Sequence, residues 1–196
     1  QQFVQLANAR LPSGLQLRLP TEAEWEYACR AGSQSAFSWG DELSTDLANY
    51  DGDFPYNKGP KGVDRNKTMP VKSFQPNAWG LYQMHGNVYE WCGDWRGDYP
   101  AQPVMDPEGP ASGRKRALRG GSWYDSGRAL RAAFRLAYEP GERYGLIGFR
   151  LAGGLTEPAT SKPASERQRA GGRRAEPPAS QRAGFRGLIS RMLKKK

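Results

Sequence analysis

The sequence predicts an α+β domain with little regular secondary structure over residues 1–154. Glycine occurs 24 times and tryptophan 6 times among the 196 residues. The one segment with clear helical signals is short, and the apolar runs elsewhere suit strands of only a few residues. We therefore expect a core built from Trp and Tyr rather than from Leu and Ile.

The clearest local signal is a short helix beginning after Thr21. Thr21 and Glu24 have capping-box spacing, in which each side chain accepts the other residue's backbone N–H. Gly32 is expected to end the helix, because glycine adopts the left-handed conformation without strain. The face predicted to be buried carries Trp25, Ala28 and Cys29. Helix-like spacing also relates Phe3, Val4, Leu6 and Ala7, so the chain is expected to begin inside an element.

The rest of the domain is predicted to consist of loops and short strands. Gly, Pro, Asn and Asp recur every few residues from 33 to 75, which favours long loops over helix. Loops of that length need a local organiser, and a bound cation would be one. Apolar pieces on either side of Gly86 and Asn87, at 79–85 and 88–92, predict two strands around a tight turn. Further strands are expected at 117–119 and 148–152.

The positive charge is concentrated on the C-terminal side of the domain. From Leu155 onward there are eleven Lys or Arg and three Asp or Glu, a balance of +8; of the total of +9, residues 1–154 therefore carry +1. Nucleic acid is accordingly not expected as a partner of the folded domain. Residues 155–184 are Pro-, Ala- and Arg-rich and are predicted to be a disordered linker. Residues 185–196 have the spacing of a basic amphipathic helix, which suits an anionic surface or a partner protein; a frayed solubilising tail is the alternative.

Cysteine and histidine usage limits the chemistry. Cys29 and Cys92 are too few for a disulfide scaffold, and the choice between two buried thiols and one disulfide stays open. His85 is the only histidine, which excludes His-rich metal sites. The first residues carry no secretion signal, so a cytoplasmic location is favoured for this sequence.

Five motifs in a fixed order resemble the formylglycine-generating enzyme, or sulfatase-modifying factor, family and its bacterial members. They are residues 18–27 (RLPTEAEWEY), 80–82 (GLY), 86–91 (GNVYEW), 119–123 (RGGSW) and 148–150 (GFR). The resemblance implies a C-type-lectin-like α+β fold. It also implies that the N-terminal part of the family domain would lie before Gln1.

Two calcium sites follow from the resemblance, built from loop carbonyls and from acidic or amide side chains. Oxygen ligands on irregular loops are what calcium accepts. The first set is Asn49, the Tyr50 carbonyl, Asp64 and the Asn66 carbonyl; the second is Gln83, the Gly86 and Val88 carbonyls and Glu90. The alternative is that these residues only form turns and hydrogen bonds, with Glu90 paired to an arginine.

The oxidase chemistry of the family does not transfer to this sequence. The enzyme oxidises a substrate cysteine using two cysteines, shortly after the Gly-Gly-Ser motif, that bind Cu(I). Residues 122–134 contain no Cys, His or Met, so no copper is expected. The favoured interpretation is a non-catalytic binding module. The alternative is an oxidoreductase of this family acting on a cysteine of a sulfatase or another protein, and a third is an accessory module of a larger enzyme or kinase.

The segment between the last two motifs is the predicted binding face, for a protein or a small molecule. It resembles the variable region of proteins diversified by retroelements, which also have the lectin-like fold. Tyrosines on a fixed scaffold give contact area at low entropic cost. Plain packing of the aromatic residues is the alternative. By position, the face comprises Tyr124, Asp125, Ser126, Ala129, Phe134, Leu136, Tyr138, Glu142, Tyr144, Gly145 and Leu146.

Overall fold

The computed structural model describes residues 2–155. Their helices are α1 (Gln2–Asn8), α2 (Glu22–Arg30) and a 3₁₀ turn (Gly127–Leu130). Their strands are β1 (Leu15–Arg18), β2 (Tyr89–Trp95), β3 (Arg116–Arg119), β4 (Leu136–Tyr138), β5 (Ile147–Gly148) and β6 (Ala152–Leu155). None of the described helices has the length and apolar character needed to cross a membrane. Apart from Leu155, the predicted linker and basic tail lie outside the described residues.

Helix α2 begins as the capping-box spacing predicts. The Thr21 hydroxyl accepts the Glu24 N–H at 3.1 Å, and the Glu24 carboxylate accepts the Thr21 N–H at 2.8 Å. The end of the helix differs from the prediction, because Ala31 rather than Gly32 is the left-handed cap, with φ of 46°. The Ala31 N–H donates to the Tyr27 carbonyl at 3.1 Å, and Gly32 continues the left-handed turn at φ 94°.

The strands form two sheets. A four-stranded sheet has the order β4-β3-β2-β5, in which only the β2–β5 pair is parallel. The pairing of β2 with β3 is interrupted by a bulge between Trp91 and Trp95. The second sheet joins β1 to β6 antiparallel, with Leu15 opposite Leu155. The described residues therefore form an α+β fold with short elements.

Two strand predictions were wrong in detail. The piece at 79–85 forms no strand, because Gly80 and Gln83 take positive φ angles of 78° and 51° that interrupt an extended backbone. The piece predicted at 148–152 is divided between β5 and β6, which belong to different sheets. The predicted strand at 117–119 is confirmed as β3.

Amide side chains organise the long loops between residues 33 and 75, where neither a helix nor a strand occurs. The Asn49 Nδ2 donates to the Lys67 carbonyl at 2.9 Å and to Asn87 Oδ1 at 3.1 Å. Asn87 also bonds both backbone groups of Met69. These contacts fasten the loops to the turn at Gly86 and Asn87.

The core consists of two clusters and is less aromatic than predicted. One cluster contains Trp25, Cys29, Met84, Cys92, Ala117 and Ala132; the other contains Phe37, Leu43, Ala48, Tyr50 and Leu130. Small side chains fill much of the space beside Trp25. Several other aromatic residues are exposed, among them Tyr27 (64%) and Trp39 (39%).

A buried charge network joins α2 to the four-stranded sheet. Arg119 on β3 is completely buried, and its guanidinium contacts Glu26 and lies 3.4 Å from Glu22. It also donates to the Phe134 carbonyl. Arg135 makes a two-point contact with Glu22, with both N–O distances 2.5 Å. A buried guanidinium is tolerated only when it is paired in this way.

Replacing Arg119 should therefore be costly. We expect Arg119→Met to lower the free energy of unfolding by about 3 kcal/mol, because two carboxylates lose their common partner. Arg114→Met removes a pair with Glu139 whose arginine is 84% exposed, and should cost under about 1 kcal/mol. Urea unfolding of both variants measures the difference; equal losses would show that the buried network does not hold the fold.

Candidate functional site

The loop after β3 is set by two glycines that no other residue could replace without strain. Gly120 and Gly121 have φ angles of 99° and 77°. A Cβ at Gly121 would also lie 2.8 Å from the side chain of Leu130. These two residues turn the chain sharply. Ser122, which follows them, is completely buried.

Asp125 is held beneath the surface of this loop. Its carboxylate accepts hydrogen bonds from the Ser122 N–H at 3.1 Å and from the Ser122 hydroxyl. Its other oxygen accepts the Tyr89 hydroxyl at 3.0 Å. Burial, followed by the nearby Asp125 carboxylate, raises the pKa of Tyr89, so the phenol stays protonated as a donor. Asp125 thus acts as an anchor for the loop in this structure.

Tyr89 joins the two ends of the segment 124–146. Its hydroxyl contacts Asp125 at the beginning, and its backbone N–H donates to the Leu146 carbonyl at 2.8 Å at the end. Strand β2, at whose start Tyr89 lies, therefore fixes both ends. Nothing in the sequence identified Tyr89 or Ser122 as site residues, because neither contact follows from a local pattern.

The predicted face residues differ widely in exposure. Tyr124 and Tyr144 are 66% and 52% exposed, whereas Ala129 is only 6% exposed and packs beside Gly121. The Tyr138 and Tyr144 rings lie 5.4 Å apart. Exposed members are Tyr124, Ser126, Tyr144 and Gly145; partly buried members are Asp125, Phe134, Leu136, Tyr138, Glu142 and Leu146.

The sulfur chemistry of the region does not suit copper. Cys29 and Cys92 are free thiols, both fully buried in the first core cluster. Burial raises the pKa of Cys29 to about 12 and raises that of Cys92 as well, so neither is a thiolate at neutral pH. The loop after Ser122 offers Asp125, which is already bonded. These residues do not fit a Cu(I) centre.

His85 is also unsuited to catalysis. Its Nδ1 lies 2.7 Å from the Leu130 carbonyl, and its Nε2 accepts the Ser38 N–H at 3.0 Å. This pattern places the proton on Nδ1 of a neutral ring. Burial lowers the pKa of His85 to about 4. The imidazole is a structural link between loops.

The first predicted calcium set contains one unsatisfied oxygen. Asn49 is 1% exposed, and its Oδ1 has no hydrogen-bond partner among the described residues. The amide orientation is fixed by the two acceptors of its Nδ2. Asp64 is exposed, and its carboxylate accepts the Asn66 N–H at 2.9 Å.

The second predicted calcium set combines an unsatisfied oxygen with a paired carboxylate. Gln83 Oε1 is buried without a partner among residues 2–155, while its Nε2 donates to the Pro70 carbonyl. Glu90 accepts the Trp25 indole at 2.6 Å and a two-point contact from Arg150 at 2.5 and 2.7 Å. The Gly86 carbonyl accepts the Val88 N–H at 3.0 Å. The described part of the chain contains no cluster of three His, Cys, Asp or Glu side chains suited to a metal.

A known family model matches all of the described residues. The sulfatase-modifying factor enzyme 1-like domain covers residues 2–155. The chain belongs to this family. The resemblance drawn from the five sequence motifs is thereby confirmed.

The relatives of this domain include enzymes, kinases and inactive proteins. A formylglycine-generating enzyme of Streptomyces coelicolor is 44% identical, over 69% of this chain and 46% of its own length. A serine/threonine-protein kinase pkn1 of Chlamydia caviae is 41% identical, over 70% and 21%. The inactive C-alpha-formylglycine-generating enzyme 2 of Bos taurus is 35% identical, over 72% and 45%. The chain thus spans less than half the length of these relatives.

Solved structures agree with the family. Variable protein 1 of Treponema denticola has a TM-score of 0.59 and 38% identity, covering 72% of this chain and 48% of that one. PvdO from Pseudomonas aeruginosa has a TM-score of 0.64 and 31% identity, covering 79% and 58%. The fold is the C-type-lectin-like α+β fold of formylglycine-generating-enzyme domains.

The buried imidazole makes stability depend on pH. The pKa of His85 is about 4 in the folded domain against 6.5 for a free side chain, so the unfolded chain binds more protons between these values. The free energy of unfolding should fall by about 3 kcal/mol from this group as the pH drops from 6.5 to 4. Urea unfolding across this range measures the slope.

The control for this prediction is His85→Gln, which removes the titrating group. It should be less stable at pH 7 but should lose stability less steeply on acidification. Identical pH slopes for the two proteins would show that His85 titrates alike in the folded and unfolded states.

Proposed function

We propose that this domain is a non-catalytic binding module, whose ligand contacts the exposed part of the segment 124–146. The proposal rests on the contrast between two neighbouring residues of this loop, one bonded to the scaffold and the other exposed. Asp125 is bonded inward to Ser122 and Tyr89, while its neighbour Tyr124 is 66% exposed. A fixed backbone that presents exposed aromatic side chains is the physical requirement for a binder with low ordering cost.

The chemistry of the exposed residues suits a protein or a small-molecule ligand. Tyr124 and Tyr144 present rings and hydroxyls, and Ser126 adds a small polar group. Ala129 is buried and supports the loop from inside. The proposed contact surface is therefore the exposed subset of the predicted face, supported by its partly buried members.

The comparisons allow either a catalytic or a non-catalytic role. The chain resembles formylglycine-generating enzymes, and it also resembles a protein described as an inactive member of the family. Its own residues favour the second type, because the loop from 122 to 134 holds no sulfur or imidazole ligand for copper. The two thiols of the chain are buried and protonated.

Calcium is the cofactor that we propose for the loops. Asn49 Oδ1 and Gln83 Oε1 are buried amide oxygens without partners among the described residues, one in each predicted ligand set. A bound Ca²⁺ would satisfy them, since it takes neutral oxygen ligands on flexible loops. The bound ion would order the loops. At the second set, the Glu90 carboxylate would be shared between the ion and Arg150.

The variable-protein interpretation extends the proposal. The Treponema denticola neighbour is itself a variable protein. We propose that the exposed positions of the face differ between copies of this gene, as in proteins diversified by retroelements, while the residues below them stay fixed. Substitutions at these positions would be compatible with the fold, because the exposed side chains make few bonds to the scaffold.

Removing calcium and adding it back gives the first test. Adding Ca²⁺ at about 100 times its Kd to the chelator-treated protein should raise the free energy of unfolding by about 2.7 kcal/mol, which corresponds to several degrees in Tm. Gln83→Leu should reduce this calcium-induced shift by at least half, because one ligand oxygen is lost. Gln16→Leu, at an exposed position on β1, should leave the shift unchanged. No shift in the parent protein would remove calcium from the proposal.

The same preparation separates a binding module from an oxidase. Metal analysis should find no stoichiometric copper after incubation with Cu(I), and a cysteine-containing peptide should not be converted to an aldehyde. Turnover that depends on Cys29 or Cys92 would contradict the non-catalytic role. Ser substitutions of each cysteine, checked for folding by circular dichroism, provide the comparison.

Sequencing the gene from many isolates tests diversification. Differences should concentrate at the exposed codons 124, 126, 144 and 145, and codons 119–122 should be invariant, because Arg119 and the two glycines fix the loop. Equal substitution frequencies in the two groups, or identical sequences throughout, would remove the variable-protein interpretation.

A further inference from the structure

A cavity of about 500 Å³ lies beside α2. Its walls come from α2, from the segment 94–110 and from Ala133 and Arg135. None of its lining residues belongs to the predicted face or to either calcium set. The volume falls within the roughly 300–1,000 Å³ of small-molecule sites.

One side of the cavity is apolar and aromatic. The residues that form it are Trp95, Tyr99, Pro100, Val104, Pro107 and Pro110. Tyr99 and Val104 are 63% and 54% exposed, so this wall lies open to an entering ligand. The Arg135 guanidinium already lies 4.0 Å from the centroid of the Tyr99 ring. Such a ring attracts a cation by its negative face.

The base of the cavity is charged, and most of its charges are paired internally. Arg135 pairs with Glu22, and Arg30 pairs with Glu26. Arg119, which does not line the cavity, contacts both glutamates. Three guanidiniums against two glutamates leave one positive charge in this group, which Asp94 and Asp98 in the cavity lining outweigh.

Asp94 and Asp98 are the carboxylates left over. Neither forms an ion pair with another described residue, so the four carboxylates around the cavity outnumber the three guanidiniums by one. Asp94 is 5% exposed; its Oδ2 accepts the Glu22 N–H at 2.6 Å, and no other described residue donates to its Oδ1. Burial and the nearby Glu22 carboxylate raise the pKa of Asp94, as expected in a negative environment.

We propose that this cavity binds an organic cation, a primary ammonium or guanidinium carried on an apolar stem. The cationic head would bond Asp94 Oδ1, and the stem would lie along Tyr99 and the prolines. An anion would be repelled by Asp94, and a purely apolar ligand would cover its Oδ1 without offering a donor. A lysine or arginine side chain of a protein and a free alkylamine share this chemistry.

Titration of the full chain with hexylamine, followed by NMR chemical shifts, tests the proposal. Hexylamine should bind at least tenfold more tightly than hexanoate, which has a similar stem and the opposite charge. Asp94→Asn, which keeps an acceptor for the Glu22 N–H, should weaken hexylamine binding at least tenfold. Asp53→Asn, at a 61% exposed carboxylate paired with Lys61, should leave it unchanged.

Two further arms keep the test decisive. Ala133→Trp should fill the entrance and abolish binding without touching an ion pair, which covers the case in which Asp94→Asn unfolds the domain. A capped lysine peptide binding more tightly than hexylamine would indicate a protein side chain as the source, and the reverse a free amine. Equal affinities for hexylamine and hexanoate, or unchanged binding in the folded Ala133→Trp variant, would overturn the proposal. Neither outcome tests ligand binding at the exposed positions Tyr124, Ser126, Tyr144 and Gly145.

Discussion

Arg119 carries a full positive charge where water does not reach it, and the packing of this domain depends on matching that charge. Glu22 and Glu26 approach it from α2, the Phe134 carbonyl from the loop before β4, and the Trp25 ring lies 5.5 Å from its guanidinium. The same two glutamates bind Arg135 and Arg30. Because its partners come from different elements, the network sets the position of α2 on the sheet. It also leaves Asp94 as a carboxylate without a guanidinium, beside a cavity.

A second constraint acts directly after Arg119, in the loop that follows β3. Gly120 and Gly121 turn the chain so that Ser122 and Tyr89 can hold Asp125 from two sides. The anchored part of the loop is therefore inside, and Tyr124 is outside. The resemblance to formylglycine-generating enzymes implies reactive sulfur in the same loop for catalysis, and residues 122–134 contain none. A module that binds needs only a rigid base beneath exposed side chains, and the described residues provide that base.

The sequence predicted the structural features that depend on contacts between residues close together in the chain. The Thr21–Glu24 capping box spans four residues, and its prediction was confirmed to the hydrogen bond. The pairing of β1 with β6 places Leu15 opposite Leu155. These residues lie far apart in the chain, so no local sequence pattern predicts their pairing. The strand expected at 79–85 failed because left-handed residues such as Gln83 cannot be recognised from hydrophobicity. The binding face is a prediction from motif order, whereas the contacts of Tyr89 and the cavity beside Asp94 depend on residues distant in sequence.

We propose that a fixed framework carries a surface free to vary, and two displayed libraries distinguish the two parts of the domain. One library randomises the exposed positions Tyr124, Ser126, Tyr144 and Gly145; the other randomises the four framework positions Arg119, Ser122, Asp125 and Leu130. Resistance to protease measures the folded fraction of each. We expect most members of the first library and few of the second to stay resistant. Similar losses in both would show that the exposed side chains hold the fold themselves, and would contradict a binding face on an independent scaffold.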